Sequence, residues 1–154
     1  MGSDLVVLDT WAVVAWLRGE PSGVVVRELL RWAGGDEQAG DQVRQHLPRT
    51  LAQPEPLLNV VNLGEVFYLL ARRKGEREAR KTVEEIRACP IRIVPASEEI
   101  VFKAAWFKAR YPIAYADGFA LATAACKGGA LVTGDPDLKS VKEVDLVWIG
   151  GSYG

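Results

Sequence analysis

Leu5-Val6-Val7-Leu8 is an unbroken run of four aliphatic residues, and Asp9 ends it at once. A strand with one wet face alternates apolar and polar residues. An unbroken run instead marks a strand buried on both faces, as inside a parallel sheet. Thr10 follows, and Trp11 to Leu17 continue the apolar pattern at helical length until Gly19 and Pro21 stop it. A carboxylate at the carboxyl end of such a strand stands where open α/β sheets place their ligands.

The rest of the chain repeats this alternation. Ser22 is read as the cap of a second helix, with Val25, Val26, Leu29, Leu30 and Ala33 at helical spacing and Gly34-Gly35 closing it. Residues 34–56 are polar, with three prolines and three glycines. They read as a polar insertion or mobile loop with a helical turn only over 41–47; a lid or partner-docking element is the sharper alternative. Leu57 to Val61 is a second strand, and a helix from Asn62 runs to Arg73, broken by Gly75. Glu76 to Ala88 is a charged helix with a thin stripe at Ala79, Val83 and Ile86. Ile91 to Val94 is a third strand. Ser97 caps a helix to about Arg110 with Ile100, Val101, Ala104 and Phe107 inward. Tyr115 to Lys127 is the most apolar helix; Ala130 to Thr133 and Leu146 to Ile149 are the last strands. The expected fold class is α/β: a single domain over 1–154, with a mostly parallel sheet of about five strands and helices on both faces.

Composition excludes several classes. The net charge of −1 is not that of a general polyanion binder, so a nucleic-acid substrate requires a local basic rim. Cys89 and Cys126 lack metal or redox spacing and read as reduced packing residues. No signal-peptide pattern is present, and no apolar run reaches the ~18 residues of a membrane span, so a cytoplasmic chain with no membrane role is expected. The five tryptophans read mainly as core, and His46, the only histidine, has no evident catalytic partner.

Four acids punctuate this framework. Asp9 ends the first strand, Glu65 falls in the first turn after the second, Asp117 opens the apolar helix, and Asp135 ends the fourth strand. Each has a local explanation. Asn62 to Glu65 fits a capping box. Asp117 complements a helix dipole. Asp135 before Pro136 fits an N-cap with proline following, and Asp9 fits a cap as well. Together they ask for more: carboxylates beside buried positions need partners, and these segments supply no cations. A hard divalent ion is the simplest shared partner. In a parallel sheet Asp9, Glu65 and Asp135 share one edge. Asp117 joins them only if the preceding helix, Ser97 to Arg110, first carries the chain across the domain.

The matching stretches are Val-Leu-Asp-Thr (Asp9), Asn-Leu-Gly-Glu-Val (Glu65), Ala-Tyr-Ala-Asp-Gly-Phe-Ala-Leu-Ala-Thr-Ala (Asp117) and Leu-Val-Thr-Gly-Asp-Pro-Asp-Leu (Asp135). In these, and over nearly its whole length, the chain resembles the PIN-domain ribonucleases, most closely the small VapC-type toxins. The resemblance implies a metal-dependent endoribonuclease in which Asp9, Asp117 and Asp135 hold Mg²⁺ or Mn²⁺. Glu65 then ligates through water or orients the nucleophile. It implies auxiliary roles for Thr133, Asp137 and Thr10. It also implies an RNA substrate, a cognate antitoxin covering the active groove, and a homodimer. Arg72, Arg73, Arg110 and Lys139 are candidate phosphate contacts. Gly118 stands where the family more often has alanine, a choice that loosens a helix start by up to ~1 kcal/mol. The 34–56 stretch exceeds the family's usual connection. Two other readings stay open: a catalytically silent PIN-like binding module, and a haloacid-dehalogenase-type phosphatase. The second needs an Asp two residues after Asp9, where Trp11 stands.

Overall fold

The computed structural model describes residues 4–46 and 53–151. Five parallel strands form one sheet in the order β3-β2-β1-β4-β5. β1 (Leu5–Leu8) is the central strand, between β2 (Glu55–Asn59) and β4 (Ala130–Thr133); β3 (Arg92–Val94) and β5 (Leu146–Trp148) are the edges. Val7 sits opposite Leu57 on one side and Leu131 on the other. Side chains alternate across a strand, and both faces of β1 are covered. Val6 and Leu8 join a core built with α1 (Thr10–Leu17), α2 (Pro21–Ala33), α3 (Glu37–Val43), α4 (Val60–Lys74) and α5 (Glu76–Arg87). Val7 joins a second core with α6 (Glu98–Arg110) and α7 (Tyr115–Lys127). The unbroken aliphatic run is what a strand serving two cores requires.

Three boundaries differ from the sequence reading. α2 starts at Pro21, not after Ser22: proline arrives with its φ already helical, and Glu20 takes the cap position without a side-chain bond. The 34–56 stretch is not all loop. Asp36 caps α3 by accepting from the backbone N–H groups of Gln38 and Ala39, and the helix buries Ala39 and Val43. Gly40 lets it pass flat against the Trp32 ring, which a Cβ there would meet at 2.7 Å. A helix held by two small contacts under one tryptophan leaves almost no periodicity to read. A 3₁₀ turn follows over Arg44–His46; residues 47–52, and with them the end of the expected 41–47 turn, lie outside the described residues. β2 begins at Glu55 and ends at Asn59, two residues earlier than expected, because the Asn59 side chain accepts from Val61 N at 2.9 Å and starts α4 there. Pro56, an unusual residue in an inner strand, concealed its start.

The cysteines are free but half-buried rather than core. Trp32 is fully buried, while Trp11, Trp16 and Trp106 are only partly so. Among the described residues no helix is long and apolar enough to cross a membrane.

Candidate functional site

Asp9 follows β1 directly and caps α1, with Oδ1 accepting from Ala12 N at 2.8 Å. Thr133 Oγ1, at the end of the neighbouring β4, donates to Asp9 Oδ2. The same hydroxyl accepts from Asp135 N at 3.1 Å. Thr133 thus ties the acids of two adjacent strands together. Asp135 in turn caps a 3₁₀ turn by accepting from Asp137 N at 2.9 Å. Gly134 makes room for this exit: a Cβ there would lie 2.3 Å from the Trp11 ring.

Asp117 stands in the first turn of α7 and accepts from the N-cap Ala114 N at 3.1 Å. α7 reaches the same edge as β1 and β4. Asn62 of α4 donates to Ala116 O at 3.0 Å and to Thr10 Oγ1 at 3.3 Å, tying the starts of α7 and α1 together. The two-helix connection does bring Asp117 across. Gly118 matters here too, because a Cβ would lie 2.8 Å from Ala104 O on α6. Its glycine admits a close helix crossing instead of merely loosening the helix. Gly118→Ala is expected to cost about 2 kcal/mol through overpacking, despite alanine's better propensity. A thermal melt checks this: the midpoint should fall by roughly 4–8 °C.

The capping box expected at Asn62–Glu65 does not form. Asn59 caps α4, which places Glu65 in its second turn with no capping duty. Its carboxylate accepts from Tyr68 Oη at 3.3 Å. For Asp9, Asp117 and Asp135 the local caps are real but do not exhaust a carboxylate, which has about four lone-pair sites.

Electrostatics separate this group from ordinary caps. Burial, then the charges of Asp117 and Asp135, push the Asp9 carboxyl up to about 7, against the pull of its Thr133 and Ala12 hydrogen bonds. Asp117 is pushed up to about 6 by burial and by Asp135, Glu65 and Asp137. Asp9 thus feels the charges of Asp117 and Asp135, and Asp117 those of Asp135, Glu65 and Asp137. Thr10, Glu65, Asp117 and Asp135 line a cleft of about 320 Å³. No Lys or Arg is hydrogen-bonded to Asp9, Asp117 or Asp135 among the described residues.

An all-oxygen donor set of repelling carboxylates fits a hard divalent cation. Among the described residues no three acid, histidine or cysteine side chains close into a ready-made cage.

The basic candidates scatter. Arg73 and Lys74 line a groove of about 340 Å³ that shares Val14, Arg18, Glu20 and Leu69 with the acidic cleft. Arg72 stacks over the Tyr68 ring at 4.9 Å. Arg110 lies over Trp106 at 4.0 Å, and Lys139 over Trp148 at 4.3 Å, lining a separate cleft. Sequence reasoning missed Arg18, which lies where the acidic cleft and the groove meet and is 4.0 Å from Glu20. Its place after an apolar helix gave no sign of this. The His46 side chain lies outside the described residues.

A parallel sheet with acids at its carboxyl edge carries them where open α/β folds bind their ligands, and comparison with known proteins narrows the class. The PIN domain family model matches residues 6–144, and the chain belongs to that family. No curated protein matches the sequence. Among solved structures, the chain is similar to one in VapBC-1 from nontypeable Haemophilus influenzae. The TM-score is 0.67 at 12% identity, covering 96% of this chain and 99% of that one. A chain of DNA-bound VapBC from Salmonella typhimurium matches with TM-score 0.64 at 12% identity, covering 97% and 99%. VapC20 of Mycobacterium tuberculosis, described as a Sarcin-Ricin loop cleaving toxin, matches with TM-score 0.55 at 19% identity, covering 91% and 98%.

Proposed function

We propose that the protein is a divalent-metal-dependent endoribonuclease, the toxin of a toxin–antitoxin pair. The observation that carries this reading is the gathering of Glu65, Asp117 and Asp135 on one cleft at the carboxyl edge of a PIN-family sheet, with Asp9 buried beside it and tied to Asp135 through Thr133. Asp9, Asp117 and Asp135 would hold the ion. When bound, Mg²⁺ or Mn²⁺ supplies a water of lowered pKa and charge stabilisation for the phosphodiester. Thr133 holds Asp9 and the Asp135 backbone in register. Glu65, free of capping, orients the attacking water or accepts its proton. Thr10 and Asp137 complete the rim.

Arg18, Arg73 and Lys74 give the substrate strand a cationic path away from the acids. The triple Ala variant is expected to weaken RNA binding and flatten its salt dependence by about 2, from ~0.7 per phosphate contact on a single strand. Fluorescence anisotropy across a salt series measures this.

A cytoplasmic homodimer and an antitoxin partner complete the proposal. Exposed Phe102 (67%), Tyr115 (45%) and Tyr68 (43%) provide apolar surface for such contacts. The test of function is the product of RNA cleavage. Hydrolysis by an activated water leaves one end as a hydroxyl and the other as a phosphate monoester, with no cyclic phosphate, and stops with EDTA. Cyclic 2′,3′-phosphate ends, or cleavage that survives EDTA, would contradict it. All the expected acids are at the edge, which favours this reading over a silent module.

A further inference from the structure

Asn62 is 1% exposed, and its amide touches two elements other than its own. Nδ2 donates to Thr10 Oγ1 at 3.3 Å and to Ala116 O at 3.0 Å. Thr10 is the residue after Asp9, and Ala116 the residue before Asp117. Asn62 also precedes Glu65 by one turn of α4, so the two share a helix face. One side chain thus contacts the immediate neighbours of two of the acids and rides on the helix bearing a third.

Its Oδ1 is buried and has no donor among the described groups. A buried amide oxygen in that state costs roughly 1–3 kcal/mol, a cost that a leucine of similar volume avoids. Asn59 provides the contrast. It also bridges α4 and α7, donating to Thr123 Oγ1 at 3.0 Å, while its Oδ1 accepts from Val61 N at 2.9 Å. That amide is satisfied and already fastens the two helices. The fold therefore does not need Asn62 for that purpose. The start of α7 does need holding: its N-cap is Ala114, which offers no side-chain cap. Asp117 there faces other negative charges.

We propose that Asn62 is a positioning residue that fixes the separation of Asp9 and Asp117 by tying the start of α1 to the start of α7, so that one hydrated divalent ion spans them. This rests on the reading of the acids as a metal site. Groups of this kind, one step behind the ligands, typically carry 10–100-fold in metal affinity or activity.

The test is Mn²⁺ titration by calorimetry on the whole protein, wild type beside Asn62→Leu and Asn59→Leu, with metal-free thermal melts of each. Asn62→Leu should melt within a few degrees of wild type yet bind Mn²⁺ at least tenfold more weakly. Its kcat on RNA should fall while KM stays unchanged. Asn59→Leu should do the reverse, losing thermal stability while its folded fraction keeps its Mn²⁺ affinity. Should Asn62→Leu not fold, Asn62→Ser is read the same way. A folded Asn62 variant that binds Mn²⁺ as tightly as wild type would overturn the inference alone. A wild type that binds no Mn²⁺ would overturn the metal-site reading and this inference with it.

Discussion

Asp9→Asn is expected to abolish divalent-dependent RNA cleavage, by at least about 10³-fold in kcat, with the fold intact. The structure gives both halves of this outcome. Asparagine is as good an N-cap as aspartate, so the bond to Ala12 N survives, and its amide can still meet Thr133. The negative charge is what disappears. Asp9 is 2% exposed and stands on the central strand, tied to Asp135 through one hydroxyl, so no neighbouring carboxylate can take its place. Steady-state cleavage with Mn²⁺, read beside a thermal melt, separates the two halves. Undiminished cleavage would remove Asp9 from the mechanism. A collapsed melt would mean that the charge serves the fold.

The second large effect is a pH dependence that metal largely cancels. The Asp9 carboxyl lies at about 7 in the folded protein against an ordinary 3.8, raised by burial and by its acidic neighbours. Between those values the folded chain holds a proton that the unfolded chain has released. Stability of the metal-free protein therefore falls as pH rises through this range and levels off above it. Asp117, raised to about 6, adds to the fall over the lower part of the window. The metal-free melting midpoint should drop by on the order of 10 °C between pH 4.5 and 7.5. Millimolar Mn²⁺ should recover most of that drop at pH 7.5 and little at pH 5, because binding must displace the protons on Asp9 and Asp117. Differential scanning calorimetry at several pH values reads this directly. A metal-free midpoint that rises across the window would show that the folded protein does not hold protons on Asp9 and Asp117. Asp9→Asn should flatten most of the slope.

The sheet was legible because its strands announce themselves. Leu5 to Leu8 and Ala130 to Val132 have no polar residue to place on a wet face, so a parallel, doubly covered position was the only economical reading. The cap at Ser97 was equally plain. Legibility failed where one residue's backbone duty overrode pattern. Asn59 ends a strand by capping a helix, Pro21 outcompetes Ser22, and α3 hides in a polar segment because it buries only Ala39, Gly40 and Val43. At the site, the positions of Asp9, Glu65 and Asp135 followed from strand order. The arrival of Asp117 did not, since it depends on a glycine contact with Ala104 and on the amide of Asn62. Sequence patterns carry no sign of contacts between residues 54 positions apart. Arg18 escaped for the same reason: its place between two clefts is set by helix packing.

The central claim is that three carboxylates from β1, α7 and β4 share a divalent ion. A crystal structure of the protein soaked in Mn²⁺ at pH 7.5, with anomalous data, tests it most directly. The account predicts an anomalous peak within about 2.0–2.5 Å of carboxylate oxygens drawn from Asp9, Asp117 and Asp135, with waters completing the shell. Full Mn²⁺ occupancy elsewhere on the protein, with these carboxylates bare, would contradict it.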